Sequence, residues 1–119
     1  MQNYTAEQLS ELLTQGALRD VSAETATNGW DGKVLISTAV WNRYIVPSRI
    51  CEQKGEATAE RFAHLCEQLQ RALSLNMQDA PLVFFQIAVL MDPNMAKARV
   101  ALKCHRVGDA LVVVLKDEA

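Results

Sequence analysis

The chain predicts an α+β fold: an antiparallel sheet built on a C-terminal three-strand meander, with a long amphipathic helix and shorter N-terminal helices packed on it. Three observations carry this. Leu82 to Met91 is an almost unbroken apolar run, Lys97 to Val107 alternates apolar with basic residues, and Ala110 to Leu115 is apolar again. Gly108-Asp109 is the only break between the last two, and a two-residue Gly-Asp link signals a tight hairpin. Within Ala57 to Leu75, residues Phe62, Leu65, Cys66, Leu69, Ala72 and Leu73 fall at three- and four-residue steps, which makes one buried helical stripe.

The remaining elements follow in order. Thr5 with Gln8 three residues later has capping-box spacing, Leu9, Leu12 and Leu13 make an apolar stripe, and Gly16 ends that helix. Leu18 to Val21 predicts a brief strand. Ser22 is placed to cap a helical turn that stops at Asn28-Gly29. Lys33 to Ser37 is short, β-branched and bounded by Asp31-Gly32, so it predicts another strand. Thr38 is placed to cap a helix over Ala39 to Val46, ended by Pro47 because proline disfavours helical geometry in the residue before it. Ser48 to Gly55 is polar and predicts a mobile loop. Asn76 to Ala80 returns the chain to the sheet.

Composition bounds the class. With 119 residues, 50% of them hydrophobic and 22% charged, the chain reads as one domain over 1–119. Its length suffices to bury roughly 65% of the unfolded surface without metal or disulfide support. A net charge of −2 gives no overall electrostatic footprint for nucleic acid or anionic membrane, although it leaves room for a local basic patch. No apolar run approaches the roughly 20 residues needed to span a bilayer. Met1-Gln2-Asn3-Tyr4 lacks the basic and apolar regions of a signal peptide. Three cysteines with no CxxC pair suit free thiols in a reducing compartment, so the expected location is the cytoplasm.

Two segments carry a resemblance: Leu12-Leu13-Thr14-Gln15-Gly16-Ala17-Leu18-Arg19-Asp20-Val21-Ser22 and Val34-Leu35-Ile36-Ser37-Thr38-Ala39-Val40-Trp41. They resemble the "L-x-x-G-x-L-x-D-V-S/T" and "V-x-h-T-x-A-V-W" blocks (h, hydrophobic) of a family of uncharacterised small proteins encoded on bacterial plasmids and integrative elements. The later order of a long helix, a strand and a final hairpin with an acidic tail is similar too. The chain departs from the family pattern in its long helix, where Ala59 to Leu69 holds Phe62 and no tryptophan. The resemblance implies a mobile-element setting and no chemistry. Physically, Gly16 permits a helix end, Asp20 and Ser22 suit a turn or cap, and Trp41 supplies a large core anchor.

No phosphate-binding loop, dinucleotide, nucleophile-elbow or zinc-protease pattern occurs, and no catalytic residue is assigned. His64 and Cys66 lie two apart on one helix and diverge by about 200°. Cys104 and His105 are adjacent on a strand and point to opposite faces. No spacing supports a metal or cofactor site. Cys51, beside Arg49 and Lys54 in the polar segment, is the one thiol whose surroundings favour thiolate, against the plainer reading of an inert exposed thiol.

The basic strand is the candidate binding face. The hairpin at Gly108-Asp109 pairs Val107 with Ala110, His105 with Val112 and Lys103 with Val114. One face then carries Lys97, Arg99, Lys103 and His105 among Ala101, Val112 and Val114, while Val100, Leu102, Cys104, Leu111, Val113 and Leu115 form the core side. Basic and apolar residues on an exposed sheet face suit phosphate or an acidic protein surface. The plainer reading is a solvated face whose charges oppose aggregation, and that face offers no aromatic for stacking single strands.

Two functions compete. The first is a non-catalytic accessory protein that regulates or inhibits a host system by binding an unidentified protein partner. The second is a small nucleic-acid-binding protein using the basic strand. Ala110 to Leu115, apolar on both faces, must be covered by Val34–Ile36 or by another copy of the chain. With Val112 and Val114 also in need of cover, and Trp30 in a turn able to supply some, a homodimer through the final strand or the basic-apolar face is expected; the alternative is that the N-terminal segments cover both within one chain.

Overall fold

The computed structural model describes residues 5–29, 32–75, 80–92 and 94–117. The first helix, α1 (Ala6–Gln15), opens with the expected capping box: the Gln8 N–H donates to the Thr5 hydroxyl at 3.2 Å, and the Thr5 N–H donates to Gln8 Oε1 at 2.9 Å. Gly16 closes it at φ 80°, a dihedral that glycine adopts without a Cβ clash. Strand β1 (Leu18–Asp20), helix α2 (Ser22–Ala26) and strand β2 (Lys33–Ser37) follow.

Ser22 does not cap α2. Its hydroxyl instead donates to Asp20 Oδ1 at 2.6 Å and accepts the Val34 N–H at 3.0 Å, tying the turn to β2. Those bonds from the Ser22 hydroxyl and N–H, chiefly, hold the Asp20 carboxyl below its ordinary value. Thr38 is likewise displaced from its expected role. Ser37 caps helix α3 (Thr38–Val40), and the Thr38 hydroxyl donates to the Gly16 carbonyl at 2.5 Å.

After α3 the chain widens into a π-helical turn, Trp41–Ile45, in which the Val46 N–H reaches back to the Trp41 carbonyl at 3.0 Å. Val46 before Pro47 is extended, as expected for a residue preceding proline. The segment after Pro47 is a short helix, α4 (Arg49–Gln53), and not a loop, because the Ser48 hydroxyl accepts the Cys51 N–H and Cys51 is buried. The long helix α5 (Thr58–Leu75) leads to β3 (Leu82–Val89), β4 (Ala98–Val107) and β5 (Ala110–Leu115). Trp30 and most of the 76–80 return lie outside the described residues.

The five-stranded sheet has the order β1-β2-β5-β4-β3. The C-terminal meander is antiparallel, and its hairpin register is the expected one, with Val107 opposite Ala110, His105 opposite Val112 and Lys103 opposite Val114. Gly108 at φ 57° supplies the positive dihedral that the first position of a two-residue turn demands. The sheet as a whole is mixed, correcting the antiparallel expectation: β2 joins β5 in parallel, from Lys33 opposite Ala110 to Ile36 opposite Val113. Parallel neighbours need a long crossover, provided here by everything from α3 to β4. In β2, Val34 to Ser37 are all buried, as expected for a strand covered on both faces.

Both faces of β5 are covered within the chain. On one, Phe62, Leu65 and Leu69 of α5 join Leu102 and Val113 in a single cluster, with Leu73 and Leu115 packed against it. On the other, Leu9 of α1 joins Leu18, Leu35, Val112 and Val114, with Leu12 and Leu13 beside them. The final strand is therefore central, and Val112 and Val114 are core. Both needs that pointed to a homodimer are met by β2 and α1 of the same chain.

Leu69→Ala is expected to cost about 2–5 kcal/mol in urea denaturation, since Leu69 is 2% exposed. Val114→Lys is expected to unfold the chain and not to shift an association equilibrium, because it buries an unpaired charge. A Leu69→Ala loss below about half a kcal/mol, or a folded Val114→Lys, would contradict this packing.

Candidate functional site

The four basic-strand residues divide. Lys97 and Arg99 are exposed, whereas Lys103 and His105 are buried at 9% and 2% exposure. The exposed four-residue face expected from strand alternation is thus corrected. Helix α1 covers the half of that face over β2 and β5, and the open half lies over β3 and the start of β4. Burial first, and the Lys103 charge second, hold the His105 imidazole below its ordinary value of 6.5.

The open half carries an aromatic that the sequence reading did not place there. Phe84, 53% exposed, sits directly across from Lys103, and exposed Gln86 sits across from Ala101. Both stand on β3, which ends the strand order and pairs with β4 alone among the described residues.

Two hydrogen bonds fix which way the β3 backbone points. The Arg106 N–H donates to the Pro81 carbonyl at 2.9 Å, so odd-numbered residues face β4. The Ala88 N–H donates to His64 Nε2 at 3.2 Å, so even-numbered residues face outward. His64 therefore stands at the sheet edge, and its imidazole occupies the end of that edge. Leu82, Phe84 and Gln86 present the rest of their outward N–H and C=O groups along an uncharged strand of 8 residues.

A second set of side chains is organised by Arg61. This cation is 5% exposed, donates through its guanidinium to the Tyr44 carbonyl at 3.0 Å and to the Leu90 carbonyl, and pairs with Glu56 at 3.4 Å. Cys51 Sγ donates to the same Leu90 carbonyl at 3.3 Å. Arg61 thus fixes the π-turn against α5 and the end of β3. Its own signal was legible: Arg61, Leu65 and Leu69 share a four-residue step. The π-turn in turn presents Arg43 and Tyr44 to a cleft of about 440 Å³, whose other walls include Arg99 and Lys116.

The thiols are structural. Burial pushes Cys66 up to about 11 and Cys104 up to about 12, well away from thiolate at neutral pH. Cys51 is fully buried, which corrects its reading as an exposed thiol. Among the described residues no three His, Cys, Asp or Glu side chains gather as metal ligands, and no helix is long and apolar enough to cross a membrane. No protein-family model, curated protein or solved structure matches the chain.

His105 makes stability depend on pH in one direction. Its neutral form is favoured when folded, so the unfolded chain binds the proton more readily. The stability it contributes is complete above about 6.5, the ordinary value, and falls as pH drops below it. Thermal melting between about pH 7.5 and 5 should show wild type losing more than His105→Gln. Parallel curves would contradict a buried neutral imidazole.

Proposed function

We propose that this chain is a non-catalytic accessory protein that works by binding another protein, with an extended acidic segment of the partner added along β3. The carrying observation is the edge itself, where Leu82, Phe84 and Gln86 turn their backbone groups outward and Phe84 exposes its ring. A partner strand gains main-chain hydrogen bonds from such an edge and specificity from the neighbouring side chains. Exposed Lys97 and Arg99 next to it favour carboxylates in a chain whose net charge is −2. A role as regulator or inhibitor of a host system, in a mobile-element setting, rests on the two sequence blocks alone.

The second reading is a nucleic-acid-binding protein. Phe84 on the open half-face, four positions along the β3–β4 ladder from Arg99, is a stacking ring that strand alternation in β4 does not show. Its single ring, and the burial of Lys103 and His105, leave it behind the first reading.

Affinity capture from host lysate with wild type, Phe84→Lys and Gln86→Pro distinguishes them. A protein retained by wild type and lost from both folded variants is the expected result. Capture that the edge variants leave unchanged would remove β3 from the reading. Recovery of nucleic acid, released steeply by salt, would favour the second reading.

A further inference from the structure

Arg43, Arg99 and Lys116 line one cleft of about 440 Å³ between the π-turn and the adjoining ends of β4 and β5. Among the described residues none of the three forms an ion pair, and Asp117 is the only carboxylate on the walls. Among the described residues three cations therefore face one anion, in a chain that is negative overall. We propose that this cleft binds a small molecule carrying two or more phosphate groups.

Concentrating like charges around a cavity raises the local positive potential and costs self-repulsion, which a multiply charged anion relieves. Two of the three are arginines, whose planar forks match phosphate oxygens in pairs. The volume is within the range of small-molecule sites and exceeds what a bare phosphate group fills. The ligand's remainder then lies against Tyr44 and Leu115, both partly buried on the core. The walls are rigid for identifiable reasons. Arg61 holds the Tyr44 carbonyl at 3.0 Å, and the Lys116 N–H donates to the Ala101 carbonyl at 3.1 Å where the β4–β5 ladder ends. A preformed cleft loses little ordering entropy on binding.

Arg99 also flanks the β3 edge, but Arg43 and Lys116 take no part there, so the Arg43 variant tests the cleft alone. Calorimetric titration of the full chain with inorganic pyrophosphate at low salt, followed by ADP, tests it. Pyrophosphate is expected to bind, to weaken with added salt, and to lose about tenfold or more in Arg43→Gln and in Arg99→Gln. Thermal melting should show both variants folded, since both side chains are exposed. Asp117→Asn should tighten binding, and Phe84→Lys should leave it unchanged. Tighter binding of ADP than of pyrophosphate would support a ligand with an organic part. Absence of binding at millimolar pyrophosphate, or binding that neither arginine variant weakens, would overturn the proposal. ADP binding weaker than pyrophosphate would overturn the part assigned to Tyr44 and Leu115.

Discussion

The strand Ala110–Leu115 is apolar on both faces, and most of the architecture follows from covering both. Such a strand at a sheet edge would present unpaired backbone and exposed valines to any other chain. Here β2 and β4 flank it, α5 covers one face and α1 the other. Val112 and Val113 are both 0% exposed, which is the direct mark of a central strand. Once β5 is central, β1 and β3 become the edges. β1 is only 3 residues long, so among the described residues β3 is the long edge left open.

That arrangement explains how much of the fold was readable. Periods of two and of 3.6 are local properties, so the meander, its hairpin register and the α5 stripe were legible. The capping box at Thr5 was legible for the same reason. Parallel pairing of β2 with β5 was not, because nothing local in Lys33–Ser37 names a partner more than seventy residues away. The same applies to α1: its leucine stripe announces an apolar face without saying which sheet face it meets. Ser22 and Thr38 went astray because a hydroxyl suited to a cap also satisfies a distant backbone group, here Val34 and Gly16.

The candidate site was legible only in part, for a related reason. Alternation along the expected strand Lys97 to Val107 put Lys97, Arg99, Lys103 and His105 on one side, but alternation says nothing about where a covering helix stops. Helix α1 stops short of β3, so Lys97 and Arg99 are exposed and Phe84 becomes accessible on the neighbouring strand, opposite Lys103. Arg43 joins Arg99 because a π-turn widens the chain at that point, and Arg61 fixes it there. A buried arginine satisfying two carbonyls from different segments is costly to desolvate and costly to remove, so it holds the surrounding geometry to one arrangement. Sequence patterning alone does not reveal such a convergence of segments.

The central claim is that β5 is the middle of the sheet and β3 its open edge. Residue-resolved amide hydrogen exchange of the folded chain reads this most directly, because protection follows backbone pairing. The account predicts slowest exchange in Val112, Val113 and Val114, and fast exchange at Leu82, Phe84 and Gln86 next to protected Val83, Phe85 and Ile87. Ala88, bonded to His64, should exchange more slowly than Gln86. Uniform protection along β3, or β5 amides exchanging as fast as those outward positions, would contradict it.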